Sequence, residues 1–243
     1  MIGSVDPSES HDAGRYLGEA LAIIRDIAAR GKRPIVVGGT GLYFKALLGG
    51  LQDMPKIDPA LRSLLRSLTL PDLVERLGSL DADALRKIDS ANRRRVERAL
   101  EIVMLTGKPL AASRTGAVDL PNSNGVAALL ITRDREELKS RITGNVTSMF
   151  LRGVEQEVAS LPEETIGPTA SMTLGLREIR ALLRGEISPQ ESKDAIDRAT
   201  RRYAKRQMTW FRNQHDFPEL NLSRFPDTAA AGRAAIELLG SSI

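Results

Sequence analysis

The stretch PIVVGGTGLY, residues 34–43, joins a short β-branched run to a glycine-rich turn and the start of an apolar segment. Residues 34–37 lack the alternation of a half-buried strand, so they predict a strand buried on both faces, as in a parallel sheet. The turn leads directly into a helix predicted over residues 42–48. An amphipathic helix predicted over residues 8–30 precedes the strand, and this order is typical of an α/β parallel sheet.

The glycines of this turn allow two interpretations. Gly38 and Gly39, at the end of a strand, would let the backbone approach a ligand closely, and the next helix would offer amide donors to an anion or a base edge. The alternative is a tight strand-to-helix turn without a ligand. No Gly-Lys-Ser or Gly-Lys-Thr follows, so the turn is not a phosphate-binding P-loop.

The rest of the chain is mostly helical by pattern. Residues 58–106 show only helical spacing and predict an all-helical insertion, and a polar linker is expected to run from there to about residue 124. Residues 127–131 (AALLI) predict a second buried strand. The expected fold is therefore α/β and mostly helical overall, with an incomplete parallel-sheet core in residues 1–62 and 120–243 and a helical insertion in residues 63–119.

Composition excludes several classes of protein. The 243 residues carry 35 Lys and Arg against 31 Asp and Glu, a formal net charge of +4, and no Cys. A disulfide framework, a thiolate zinc site and a cysteine nucleophile are therefore excluded. No apolar run reaches the length of a membrane span and no secretory signal is recognisable, so a cytoplasmic protein with no membrane partner is expected.

Basic residues cluster at two places. One helical segment carries six of them within an arc of about 140°: Arg198, Arg201, Arg202, Lys205, Arg206 and Arg212. Such a face suits the phosphate oxygens of a diphosphate or of a nucleic acid, although a solvated face with salt bridges is the alternative. The second cluster, Arg93, Arg94, Arg95 and Arg98, opens a helix, where an anion such as RNA phosphate would relieve repulsion from the dipole. His11 and His215 are expected to be exposed, without metal-ligand spacing.

Four blocks of sequence, in order, resemble the tRNA dimethylallyltransferases, the isopentenyl transferases that modify the adenosine 3′ of the anticodon. They are residues 34–48 (PIVVGGTGLYFKALL), 92–107 (NRRRVERALEIVMLTG), 174–178 (LGLRE) and 199–212 (ATRRYAKRQMTWFR). The resemblance implies a P-loop-NTPase-like core with a helical insertion. It also implies transfer of a dimethylallyl group from dimethylallyl diphosphate to the exocyclic amine of that adenosine.

The resemblance also implies roles for individual residues. It places Gly38 and Gly39 at the turn of the site and Arg202 and Arg206 at the diphosphate. The tRNA contacts that it implies are Thr40, Arg62, Arg94, Arg95, Arg98, Met172, Gly175 and Arg177. Nucleotide and ATP binding, Mg²⁺ and a monomeric state are further expectations of the same kind.

The sequence also departs from the family pattern. About 60 residues of the family pattern come before the point that residues 4–7 match, and this sequence is expected to lack them. They include the first strands, the phosphate-binding loop and the Asp-Ser segment that follows the loop. The family keeps its general base and its magnesium ligands there, so no catalytic residue is assigned and the metal ligands are expected outside these residues. Asn145 stands where the family usually has Arg, which would weaken diphosphate binding by about 1.5–3 kcal/mol. The alternative function is a non-catalytic tRNA-binding remnant or pseudoenzyme, and little or no transfer is expected from these residues alone.

Overall fold

The computed structural model describes residues 1–49, 58–113 and 126–240, and these residues are mostly helical. The chain divides into two compact units, Met1–Tyr43 with Asp119–Ile243, and Phe44–Val118. The helices in chain order are α1 (Ala13–Ala29), α2 (Gly41–Gly49), α3 (Pro59–Ser67), α4 (Leu70–Leu80), α5 (Ala82–Lys87), α6 (Arg93–Thr106), α7 (Arg135–Leu151), α8 (Val154–Ala159), α9 (Leu176–Leu183), α10 (Pro189–Gln214) and α11 (Thr228–Gly240). The strands are β1 (Leu130–Thr132) and β2 (Glu219–Asn221).

The first unit is built around α10, its longest helix. Ser188 starts α10 with a capping box, since its side chain accepts from the Glu191 amide while the Glu191 carboxylate accepts from the Ser188 amide. Helices α7, α8, α9 and α10 bury a shared apolar cluster that leaves the opposite face of α10 to solvent. The buried members of this cluster are Val146, Val158, Leu176, Ile179 and Ile196.

The helices predicted between residues 58 and 106 are formed in the second unit. Asp58, Asp81 and Asn92 each accept backbone amide hydrogen bonds at the start of a helix, as their positions in the sequence suggest. Helices α3 to α6 then pack their apolar stripes together, which gives this unit a core of its own. Its buried members are Leu65, Leu73, Leu77, Ala84, Val96, Ala99, Leu100 and Val103. The predicted linker that follows lies, from residue 114 to residue 124, outside the described residues.

The parallel sheet is smaller than the sequence suggests. β1 pairs with β2 in parallel register, Leu130 opposite Glu219 and Thr132 opposite Asn221. The prediction of a buried strand over residues 127–131 is wrong in its bounds and its burial, because Ile131 is 49% exposed. β2 lies in a stretch where the sequence predicted no strand, since a three-residue strand is too short to show periodicity.

The predicted strand over residues 34–37 is not formed. The segment has no regular secondary structure, no described strand pairs with it, and Ile35 and Val37 are 82% and 90% exposed. A parallel strand exists only through hydrogen bonds to its neighbours and helices over its faces. An apolar run predicts burial, whereas the pairing that would bury it depends on other segments.

Candidate functional site

The glycine turn lies against α10. The Gly39 carbonyl accepts a hydrogen bond from the side-chain amide of Gln207 over 2.9 Å. A Cβ added at Gly39 would lie 2.2 Å from that amide nitrogen, and one at Gly41 would lie 2.3 Å from the Trp210 ring. Neither residue has a positive φ, so the glycines are needed here for close approach of the turn to α10 side chains.

This contact brings two predicted site elements together. Thr40 is exposed between the two packed glycines, and its carbonyl accepts from the Tyr43 amide at the start of α2. Gly38 is exposed as well. Gln207 directly follows Arg206 in the sequence, so the turn that carries Thr40 lies beside the stretch of α10 that carries Arg206.

The six basic residues of α10 do not form one uniform face. Arg201 forms an ion pair with Asp197 at 2.6 Å, and Arg212 forms one with Glu219 at 2.8 Å. The other four are exposed, and none of them has an ion pair within the described residues. These unpaired cations are Arg198, Arg202, Lys205 and Arg206. The salt-bridge interpretation therefore holds for two residues and the ligand interpretation stays open for the others.

Arg206 has an aromatic neighbour on the same helix. Its guanidinium carbon lies 5.7 Å from the centre of the Tyr203 ring, within the range of a cation–π interaction. Stacking of this kind restricts the guanidinium without using its hydrogen-bond donors. The guanidinium donors of Arg206 therefore stay available to an anion.

The segment before α9 presents side chains to solvent from a fixed backbone. Gly175 starts α9 with a φ of +93°, a left-handed conformation that a side chain rarely adopts. Leu176 and Ile179 anchor α9 in the core of the first unit. Met172 is 70% exposed and Arg177 is also exposed, so both are accessible.

In the second unit, the arginines at the start of α6 have different environments. Arg93 pairs with Glu97 at 2.7 Å and donates to the carbonyls of Leu65, Arg66 and Leu68, at the end of α3. It therefore stabilises the helical unit itself. Arg94 and Arg95 are exposed, and their side chains form no hydrogen bond or ion pair with any described residue.

Arg62 and Arg98 meet on a single buried carboxylate, that of Glu101. Arg62 donates to both carboxylate oxygens, over 2.7 and 3.1 Å, and Arg98 donates to one of them over 2.7 Å. The Glu101 side chain is 4% exposed. Burial by itself raises the pKa of this carboxyl, but the hydrogen bonds from Arg62 and Arg98 outweigh it and the pKa is lowered. Glu101 is therefore the ionised partner of two predicted tRNA contacts.

Both histidines are less accessible than predicted. The His11 ring, 14% exposed, lies 3.1 Å from the Tyr43 hydroxyl and 3.2 Å from Glu19. His215 is partly buried and stacks on Phe217 with ring centres 4.5 Å apart. The prediction that both histidines are exposed is therefore wrong. Tyr43 lies beside the His11 ring, and Phe217 stacks on the His215 ring.

A shallow groove adjoins His11 and Tyr43. Its volume is about 460 Å³, and the segment from Met1 to Glu9 forms one side of it. Thr169, Ala170 and Thr173 form another side, next to the exposed Met172. The residues that line the groove are partly polar and include no Lys or Arg. The groove therefore lacks the arginine side chains that distinguish the basic surfaces.

Several residues that organise these surfaces were not predicted from the sequence. Glu101 and Gln207 hold predicted site residues in place, and Trp210 packs beneath the turn. The spacing of Arg98 and Glu101, three residues apart on one helix, was a usable signal for the first. No signal in the local sequence pointed to Gln207 or Trp210, because their partner in the turn lies far away in the chain.

Magnesium, which the family resemblance implies, finds no ligand set among the described residues. Within residues 1–49, 58–113 and 126–240, no group of three His, Cys, Asp or Glu side chains is arranged to hold a metal ion. These residues do not fit the ion, so no chemical step is assigned to it here. No described helix combines the length and apolar character needed to cross a membrane.

Comparisons with known proteins agree on one family. The model of the family described as IPP transferase matches residues 1–214. The chain is 38% identical to the tRNA dimethylallyltransferase of Akkermansia muciniphila, over 99% of this chain and 80% of that protein. It is 40% identical to tRNA dimethylallyltransferase 1 of Citrifermentans bemidjiense, over 89% of this chain and 71% of that one.

Solved structures give the same result. The full-length tRNA isopentenylpyrophosphate transferase of Bacillus halodurans matches with a TM-score of 0.65 and 30% identity, over 98% of this chain and 76% of that one. A eukaryotic dimethylallyltransferase acting on tRNA matches with a TM-score of 0.78 and 27% identity, over 95% of this chain and 62% of that one.

Proposed function

The chain belongs to the IPP transferase family, and we propose that it transfers a dimethylallyl group from dimethylallyl diphosphate to the exocyclic amine of the adenosine 3′ of the anticodon in tRNA. The single observation that carries the proposal is the family match over residues 1–214. The relatives that match are named tRNA dimethylallyltransferases. tRNA prenylation is the activity of this family.

The exposed cations support this proposal at the level of residues. Arg94 and Arg95 in the second unit, and Arg202 and Arg206 in the first, have no ion-pair partner among the described residues. Unpaired arginines favour a phosphate ligand because each presents several donors and a fixed charge. We assign the first pair to the RNA backbone and the second pair to the diphosphate.

The reaction places specific demands on such a site. An exocyclic adenine amine is a poor nucleophile, so the base must leave its stack and meet the allylic carbon in a fixed geometry. The bond from that carbon to the diphosphate oxygen breaks as the new bond to nitrogen forms, and Arg202 and Arg206 would stabilise the departing charge. A base must also take the proton of the amine. We assign that role to no residue of this sequence.

The remaining site residues are proposed as tRNA contacts. Thr40 would meet the target nucleotide from the turn. Met172, in the segment before α9, and Gly175 and Arg177, at the start of α9, would contact the tRNA. Arg62 and Arg98 would act with Arg94 and Arg95 on the backbone. We further propose that the protein is a cytoplasmic monomer that binds ATP or another nucleotide, and that any Mg²⁺ is held by groups outside the described residues.

Binding and transfer are tested separately. Purified protein is titrated into fluorescent unmodified tRNA at several salt concentrations, and we expect binding that weakens steeply with salt. Transfer is measured with dimethylallyl diphosphate labelled in the allylic group. The control is a tRNA in which the target adenosine carries hydrogen in place of its amine. Label on neither RNA, with tRNA bound, would favour the non-catalytic tRNA-binding alternative. Label on both RNAs, or the absence of tRNA binding at low salt, would contradict the proposal.

A further inference from the structure

Glu101 occupies an unusual position for an acidic residue on a basic surface. It lies on α6 and is almost fully buried, yet its carboxylate faces two arginines rather than the apolar core. A buried carboxylate is costly unless it is paired and hydrogen-bonded. Here the two guanidinium groups, which come from α3 and α6, provide that pairing.

The geometry brings the two guanidinium groups into direct proximity. One nitrogen of Arg62 and one of Arg98 donate to the same oxygen of Glu101, so the groups are immediate neighbours despite their like charge. The trio keeps a net charge of +1. The Arg62 and Arg98 side chains are 36% and 25% exposed. One guanidinium nitrogen of Arg62 and two of Arg98 have no hydrogen-bond partner in the described residues.

Two partly exposed guanidinium groups that are held side by side on one carboxylate suit one kind of ligand. A phosphodiester phosphate offers two oxygens that can accept from both groups at once. We propose that Glu101 is a positioning residue that holds Arg62 and Arg98 as a clamp for one phosphate of the RNA backbone. This inference rests on the proposed function, because it specifies how one part of the tRNA-binding surface is built.

The alternative role for Glu101 is purely structural, as an ion pair that joins α3 to α6. The two roles differ in their effect on RNA binding. If the arginines act only as point charges, removal of the carboxylate makes the surface more positive and tightens binding. If Glu101 positions them, the same change weakens binding although it adds positive charge. The sign of the effect therefore separates the two roles.

The experiment compares Glu101→Gln with Glu101→Asp and with Asp83→Asn in the 243-residue chain. Asp83 pairs with the exposed Arg86 in the same unit, so Asp83→Asn also removes one carboxylate and releases one arginine, away from the clamp. Affinity for unmodified tRNA is measured as a function of salt, and thermal unfolding is followed for every variant. We expect Glu101→Gln to bind about tenfold more weakly and with a salt slope smaller by about one.

The other variants give the controls. Asp83→Asn should leave the slope unchanged, and Glu101→Asp should recover part of the affinity because it restores the charge. In an Arg62→Ala, Arg98→Ala background, Glu101→Gln should have no further effect on affinity. If the wild-type chain binds tRNA and Glu101→Gln binds as tightly as Asp83→Asn, the clamp is wrong and the proposed function stands. If the wild-type chain does not bind tRNA, both fail.

Discussion

The side-chain amide of Gln207 donates to the backbone carbonyl of Gly39 across 168 residues of sequence. This hydrogen bond and the contact of Gly41 with Trp210 hold the turn that carries Thr40 against α10. The helix that presents Arg202 and Arg206 thus also positions the turn. The proposed nucleotide contact and the proposed diphosphate contacts therefore share one support.

Replacement of Gly41 by alanine tests that close approach. The new Cβ would meet the rigid Trp210 ring at 2.3 Å, so we expect a loss of about 1–3 kcal/mol in unfolding free energy. Gly39→Ala should cost less, because the Gln207 amide it would meet is the end of a flexible side chain. Urea unfolding measures both. Gly18→Ala, at an open position within α1, is the control and should stabilise. Equal losses for Gly39 and Gly41 would show that Trp210 does not limit the turn.

Among the arginines at the start of α6, we expect Arg94 and Arg95 to contribute to tRNA binding and Arg93 to contribute to stability. Arg94→Ala and Arg95→Ala should each lower tRNA affinity and the salt slope, with little change in melting temperature, because neither side chain has a partner in the described residues. Arg93→Ala should instead lower the melting temperature, because it removes hydrogen bonds to three carbonyls at the end of α3. Unchanged tRNA affinity in the first two variants would exclude them from the RNA surface.

The diphosphate assignment is tested with inorganic pyrophosphate and with dimethylallyl diphosphate. Arg202→Ala and Arg206→Ala should each weaken binding of both compounds about tenfold, on the order of one charge-assisted hydrogen bond. Arg233→Ala removes an exposed arginine from α11 in the same unit and serves as the control. Isothermal titration calorimetry measures the affinities. If Arg206→Ala binds both compounds as tightly as Arg233→Ala does, Arg206 does not contact the diphosphate.

Stability in acid should depend on Glu137, on α7. A hydrogen bond from Ser223 and then one from Arg141, with Arg133 nearby, lower the pKa of this carboxyl from 4.5 to about 2. Because the folded pKa lies below the unfolded one, the stabilisation is complete above about pH 4.5 and is lost as the pH falls toward 2.

Urea unfolding between pH 7 and pH 2 measures this effect. Glu137→Gln should be less stable than wild type at pH 7, and the difference should shrink toward pH 2. Glu136→Gln, at an exposed position on the same helix with only a 3.5 Å contact to Lys139, is the control and should change little. A difference between wild type and Glu137→Gln that is constant with pH would contradict this account.

Helical spacing in the sequence was sufficient to predict the helices between residues 58 and 106. The apolar residues of α6 lie on its buried face, because residues 93–106 contribute to a core made by neighbours in sequence. The family resemblance was also readable from four blocks of residues. The helix predictions and the family resemblance both depend on local patterns, and each such pattern lies within one continuous segment of the chain.

Pairing between distant segments was decided only by the tertiary structure. The run at residues 34–37 has the composition of a buried strand and remains exposed, while the unremarkable residues 219–221 pair with β1. The charged residues show the same limit: Arg62 and Arg93 look alike in sequence, yet one meets Glu101 and the other meets the end of α3. A local pattern fixes which face of a helix is apolar. Whether a strand is paired, or a cation is left free for a ligand, depends on groups that folding brings from elsewhere in the chain.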